Sequence, residues 1–200
     1  MSIVKIDYRE DLFDHLWELL TQAFPEEELP EREVLARHLE EPDCLCSFLF
    51  DPENSADDPD DPDYFKPDGV YIGYAFDDFF FGEYLAIREE KRNNGMGTEF
   101  MLDWKERADK PLLFESELPE TEIAERRLNF YASLGFCFYD RPYAMPAQRE
   151  GDEPIPMQLM GGAGMMKPEE LEHAVRLIYT VVYKHVIDLE ANAELRENIQ

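Results

Sequence analysis

The sequence predicts an α/β (α+β) fold: a central mixed sheet flanked by helices and closed by a C-terminal helix. Three observations predict it. Alternating apolar runs and 3.6-residue apolar stripes follow one another along the chain. Asp77-Asp78 joins two of the apolar runs as a hairpin turn. Strand–helix–strand segments follow that hairpin, so hairpins and crossovers coexist in one sheet.

The elements run in this order. Ile3, Val4 and Ile6 alternate with polar residues within Ser2–Tyr8 and mark a strand. Leu12, Phe13, Leu16, Trp17, Leu19, Leu20, Ala23 and Phe24 recur at helical spacing up to Pro25. A second helix is expected over 31–40, with Val34, Leu35, His38 and Leu39 inward. Pro30 and the acidic Glu31 and Glu33 suit its start. His38 is read as a core-edge residue, since no partner cluster is visible. Residues 44–50, 70–76 and 79–87 read as strands, and 95–107 as a helix with Met96, Phe100, Met101 and Trp104 on one side. A strand at 112–117 follows, then a helix over 121–134 that carries Ile123, Leu128, Tyr131 and Leu134. Short strands are expected at 136–139 and 156–160. Gly161-Gly162-Ala163-Gly164 reads as a flexible joint, and Pro168 opens a long amphipathic helix reaching Leu189.

Composition narrows the function classes. The 200 residues are 44% hydrophobic and 13% aromatic, enough for a packed core despite the charge. Asp and Glu number 46 against 19 Lys and Arg, a formal charge of −27. Such a surface repels phosphate backbones and anionic membranes, so neither nucleic acid nor membrane is expected as a partner. The ordinary reading of this charge is solubility or a salty setting. The sharper reading is attraction of a cationic partner. The Asp- and Pro-rich segment 51–68 is expected to be an exposed mobile loop, and it lacks the register of a calcium loop. Cys44, Cys46 and Cys137 form no CxxC pair, so no metal site is expected and reduced, buried thiols fit a cytoplasmic protein. No leader-like basic and apolar start is visible. No apolar run reaches the roughly 18 residues needed to span a bilayer.

The chemistry is concentrated in two segments. In the first, the strand Tyr84-Leu85-Ala86-Ile87 leads to Arg92-Asn93-Asn94-Gly95-Met96-Gly97-Thr98, which opens a helix. A glycine-containing turn lets backbone N–H groups converge, and the helix start adds partial positive charge, so this is an anion site. The segment has neither the Gly-Lys-Ser/Thr ending of a Walker loop nor a GxGxxG pattern. In the second, a helix ends Asn129-Phe130-Tyr131-Ala132-Ser133-Leu134-Gly135-Phe136.

Together, Arg-x-x-Gly-x-Gly after a strand and Phe-Tyr-x-x-x-Gly-Phe resemble the acyl-CoA loop and the helix signature of the GNAT superfamily of N-acetyltransferases. The two motifs stand in that family's order, and the resemblance covers residues 70–160. It implies a GNAT-like, mostly antiparallel sheet over 1–165, with 166–200 packing on it as a C-terminal helix. It implies acetyl-CoA as co-substrate, held by the backbone of Leu85, Ala86 and Ile87 and by Arg92, Asn93, Asn94, Gly95, Met96, Gly97 and Thr98. The acceptor would be an amine of a small molecule or peptide, and the acidic surface suggests a cationic one. That amine would attack the thioester directly, with a strand N–H stabilising the oxyanion and Tyr131 protonating the thiolate. Glu83 and Glu117, with Glu115 as a third candidate, could serve as general base. Ala124 stands where many relatives have Asn, and Arg126 and Arg127 beside it could approach a CoA phosphate or pair with Glu122. The chain is expected to be a monomer or a homodimer. A catalytically silent CoA- or partner-binding protein, and an acidic protein that binds basic partners, are the alternatives.

Overall fold

The computed structural model describes residues 3–51, 66–149 and 151–186. The chain runs β1 (Val4–Asp7), α1 (Phe13–Ala23), α2 (Arg32–His38), β2 (Cys44–Phe50), β3 (Gly69–Ala75), β4 (Phe80–Ile87), α3 (Met96–Arg107), β5 (Leu112–Glu117), α4 (Glu122–Ser133), β6 (Cys137–Phe138), β7 (Tyr143–Met145), β8 (Ile155–Gly162) and α5 (Pro168–Leu177). The strand order is β1-β2-β3-β4-β5-β8-β6, with β7 also on β8. Every pairing is antiparallel except β4 with β5. This is the mixed, mostly antiparallel sheet that the sequence predicts.

Alternation along the strands assigns the two faces. Val70 and Ile72 point to the side where Leu16, Leu19 and Leu20 of α1 and Leu35 of α2 pack. Tyr71 between them packs with Phe100 and Met101 of α3 on the other side. On β5, Leu113 faces Ala174, Val175 and Ile178, while Leu112 and Phe114 face α3 and α4. Helices α1, α2 and α5 therefore cover one face and α3 and α4 the other. Each fully buried Leu or Ile in these stripes contributes about 1.5–3 kcal/mol of transfer free energy.

The seam between β4 and β5 positions everything that follows. It holds only three residue pairs, Phe80 with Leu112, Phe81 with Leu113 and Gly82 with Phe114. Beyond them the strands part. β4 still pairs with β3 to Ile87, and β5 still pairs with β8 to Glu117. At the parting point the β3–β4 register shifts between Ile72 and Gly73, whose partners are Tyr84 and Gly82. Glu83 is the extra residue of that bulge. Its presence explains why Phe81 and Tyr84, three residues apart, sit on the same face.

Several expectations are corrected. Residues 161–162 are not a joint: they are the buried end of β8, paired with β5 and β6. A Cβ on Gly161 would lie 2.5 Å from the Tyr139 ring, so this close approach is what glycine permits there. Cys137 is exposed rather than buried, and Ile123 is 68% exposed. β7 escaped the sequence reading because proline-rich flanks mask its three residues. The C-terminal helix is not continuous, because a π-helical turn over Ile178–Val182 follows α5, with the Tyr183 N–H donating to the Ile178 carbonyl. Leu189 lies outside the described residues, as does most of the expected acidic loop. Of that loop, Asp51 and Asp68 are buried, and the Asp51 N–H donates to Asp68 Oδ2 at 2.7 Å. Among the described residues no helix is long and apolar enough to cross a membrane.

Gly161→Ala should destabilise the fold by about 1–3 kcal/mol, because the methyl must displace the Tyr139 ring. Urea unfolding would measure it. An unchanged midpoint would mean that the strand end yields freely, as a joint would.

Candidate active site

Where β4 and β5 part, a cleft of about 840 Å³ opens. Its walls come from the segments that the sequence singled out. Leu85, Ala86 and Ile87 of β4, Arg92 and Asn93 of the loop, Gly95, Met96, Gly97 and Thr98 at the start of α3, and Tyr131 of α4 all line it. Asn94 is not among the lining residues. Glu83, Glu115 and Glu117 also line it.

The anion end is built by the backbone. Gly95 caps α3 at φ +87°, and Asn93 also has positive φ, +65°. A Cβ at Gly95 would meet nothing within 4 Å, so glycine is needed for the conformation, and the space before it stays open to a ligand. The first N–H groups of α3 have no acceptor inside the helix and point, with the dipole, toward that space. Arg92 folds back, its Nε donating to the Ile87 carbonyl at 2.9 Å, and this ties the loop to the end of β4.

Tyr131 is fixed by aromatic packing. Its ring lies edge-on to Phe114 with centroids 4.7 Å apart. Burial pushes its phenol above the ordinary tyrosine range, so the hydroxyl keeps its proton at neutral pH. Ala124 is buried in the first turn of α4, where its N–H donates to the capping Thr121 hydroxyl at 3.0 Å. Arg127 pairs with Glu117 at 2.6 Å, not with Glu122.

Five glutamates line the cleft, Glu28, Glu83, Glu89, Glu115 and Glu117, and four of them sit in distinct surroundings. Glu83 meets His38 Nε2 at 2.9 Å, and both side chains are buried, 3% and 5% exposed. His38 is therefore not a solitary core-edge residue. Glu117 holds Arg127. Glu115 accepts from the Tyr143 and Tyr183 hydroxyls at 2.5 and 2.8 Å, both on Oε1. Burial outweighs those two bonds and pushes the Glu115 carboxyl up to about 8. Glu28, 7% exposed, is pushed up to about 7, first by burial and then by the Glu117 charge. Neither Glu83 nor Glu115 is a solvated strand-end charge. Burial favours neutral His38, but the charge and hydrogen bond of Glu83 prevail, so its pKa stands above the ordinary 6.5.

Sequence reasoning missed Glu28, Tyr183 and the link between His38 and Glu83. Glu28 hides in an acidic run after Pro25. Tyr183 reaches the site through the π-helical turn, which has no sequence signature. Among the described residues no group of three or more His, Cys, Asp or Glu is placed to hold a metal ion.

Glu115→Gln tests the buried acid. The folded carboxyl at about 8, against 4.5 in the unfolded chain, means that the folded state binds more protons between those values. Its stabilising contribution is complete below the unfolded value and is lost as pH rises through the folded one. The glutamine keeps an acceptor for both tyrosines and does not titrate. The Tm of wild type should therefore fall more between about pH 5 and about pH 9 than that of the variant. Parallel decline in both would show that folded Glu115 is already ionised at neutral pH.

No family model matches the sequence, and no curated protein matches it. Solved structures do. A GNAT-family candidate acetyltransferase from Bacteroides thetaiotaomicron superposes with a TM-score of 0.76 at 28% identity, over 92% of this chain and 98% of that one. The ribosomal-protein-S18-alanine N-acetyltransferase of Escherichia coli gives a TM-score of 0.56 at 15% identity, over 84% and 97%. Arabidopsis thaliana NAA60, solved with acetyl-CoA, gives 0.57 at 11% identity, over 80% and 97%. The last two share the fold.

Proposed function

The chain belongs to the GNAT superfamily of N-acyltransferases, and we propose that it transfers the acetyl group of acetyl-CoA to an amine of a small molecule or peptide by direct attack. The observation that carries this reading is the convergence of the parted β4–β5 seam, the Gly95 helix start and Tyr131 on one cleft. We further assign residues 1–165 to the acyltransferase domain and 166–200 to a segment that packs on it through Leu171, Ala174 and Val175.

The residues fit the co-substrate. Beyond Gly82, β4 has no strand partner on its β5 side, so the backbone of Leu85–Ile87 has donors and acceptors for the amides of a pantetheine arm. The open space before Gly95 and the free N–H groups of Met96–Thr98 suit a pyrophosphate. Arg92, Asn93 and Gly97 complete that wall. A β4 N–H would stabilise the oxyanion that forms when the amine attacks the carbonyl. Tyr131, held protonated by burial, would donate to the departing thiolate.

Of the base candidates, Glu117 is committed to Arg127 by a 2.6 Å ion pair. Glu115, raised to about 8, holds its proton at neutral pH. Glu83 stands on the bulge itself, where the seam opens, and is the base we assign. Neutral cleft walls around it, Phe24, Met145 and Met157, would exclude water from the reacting atoms.

Acetyl-CoA calorimetry on wild type, Gly95→Glu and Tyr131→Phe tests the proposal. Wild type should bind, and Gly95→Glu should lose binding, because a carboxylate with a strained φ would enter the pyrophosphate space. Tyr131→Phe should bind normally while kcat, in a screen of primary amines, falls about 10²-fold. Absence of binding by the wild type would sink the enzyme reading and leave a GNAT fold used for another purpose.

A further inference from the structure

We propose that His38 is the positioning residue behind the general base, taking up through Glu83 the proton that the acceptor amine loses. This rests on the acetyltransferase reading above. His38 is the last residue of α2, and its side chain is closed off on the cleft side by Glu83. Glu83 lines the cleft and His38 does not, so the imidazole reaches the chemistry only through the carboxylate.

The surroundings of the ring fit a proton store better than a structural contact. Replacing a buried ionisable pair by apolar groups of like size is often neutral or stabilising, so packing alone gives little reason for one at this wall. Tyr74 of β3 meets the imidazole edge-on, with centroids 5.2 Å apart, and orients it. The His185 ring lies 6.4 Å from that of His38. Glu41 bridges His185 at 3.1 Å and Lys184 at 2.5 Å, and these three groups are partly exposed. The titratable groups around His38 are thus Glu83 from β4, Tyr74 from β3, Cys44 from β2, Glu41 after α2, and Lys184 and His185 after the π-helical turn. Burial pushes the Cys44 thiol up to about 12, and it raises Tyr74 as well, so both stay neutral. Glu41 favours the charged imidazole, and Lys184 opposes it. Ionisable groups of decreasing burial therefore lie between the cleft wall and solvent on this side.

The step balances as follows. The ammonium N–H bond breaks, and its proton binds a Glu83 carboxylate oxygen. The freed lone pair attacks the acyl carbon. With the neutral imidazole carrying its hydrogen on Nδ1, Glu83 then passes that proton to the free Nε2 of His38, which restores the carboxylate beside an imidazolium. The imidazolium then gives up its Nδ1 hydrogen to solvent, and return of the remaining hydrogen from Nε2 to Nδ1 by exchange with solvent resets the pair. The store is empty only when His38 is neutral, so turnover of a protonated amine rises with pH through the His38 midpoint.

Two acceptors and two variants test this. Butylamine is an ammonium ion at neutral pH and needs a base, whereas hydroxylamine is uncharged there and does not. His38→Gln keeps a donor at the position of Nε2 but cannot take up a proton, and Glu83→Gln removes the carboxylate. CoA release is followed against pH, with acetyl-CoA calorimetry and NMR titration of the imidazole alongside. The wild-type His38 midpoint should lie above 6.5, its ordinary value, and move down in Glu83→Gln. In His38→Gln, kcat/KM for butylamine should fall about 10²-fold and lose the acidic limb, hydroxylamine should be nearly unaffected, and acetyl-CoA affinity should hold. An imidazole midpoint at or below the ordinary value overturns the proposal. So does a His38→Gln enzyme that keeps the limb or loses both amines equally. Failure of wild type to bind acetyl-CoA sinks the acyltransferase reading and the relay with it. Retained binding with an unmoved pH profile sinks the relay alone.

Discussion

The structure depends on a sheet that is continuous at its edges and open in its middle. β3 holds β4 along its whole length, and β8 holds β5 along its whole length, yet β4 and β5 share only three residue pairs. An interior seam that opens this way leaves backbone N–H and C=O groups without strand partners, and such groups are costly when nothing satisfies them. The fold accepts that cost at one place because the Glu83 bulge turns β4 away from β5 there. A ligand with its own amide groups is the natural complement of such an edge. The same bulge brings Glu83 and Tyr84 to one face, so the feature that opens the cleft also supplies its carboxylate.

Electrostatics in the cleft follow from the company each carboxyl keeps, not from the formal charge of the chain. Four of the five glutamates that line the cleft, Glu28, Glu83, Glu115 and Glu117, lie at its inner wall, and four ionised carboxylates close together would repel one another. The structure gives them different company. Glu117 pairs with an arginine and Glu83 with an imidazole, while Glu115 and Glu28 are driven toward the neutral acid by burial. Divergent environments for neighbouring titratable groups are what acid–base chemistry requires. The charge of −27 is a property of the surface and tells little about this arrangement.

The parts of the site carried by contiguous residues were legible in the sequence. The loop 92–98 and the helix end at Tyr131 each lie within a few residues, and local geometry fixes their chemistry. The strands β3 and β5 were legible as well, because apolar runs bounded by turn residues mark strands buried on both faces. What stayed hidden depends on distant pairs. His38 and Glu83 are 45 residues apart, and Glu115 and Tyr183 are 68 apart. No periodicity records such meetings. Gly161 and Gly162 were read as a joint because glycine marks flexibility as readily as close packing, and only the position of the Tyr139 ring distinguishes the two. Tyr183 shows a third kind of blindness. In a regular 3.6-residue helix it would drift off the stripe of Leu171, Ala174, Val175 and Ile178. The wider turn over Ile178–Val182 delays the phase and returns it to the buried face.

The two faces of the sheet divide the labour of the proposed reaction. Tyr131 belongs to α4, and its ring packs on Phe114 from the side that also carries the Gly95 helix start. Glu83 turns the other way, toward α2, and shares that face with Glu115, Tyr143 and Tyr183. An acid and a base on one wall would compete for the same proton. Placed on opposite faces of an open seam, they can each meet a different partner, the departing sulfur on one side and the incoming nitrogen on the other. Transfer then takes place through the sheet. The seam is the one position where two ligands approaching from opposite faces can touch, which is why its opening is the constraint that the rest of the molecule serves.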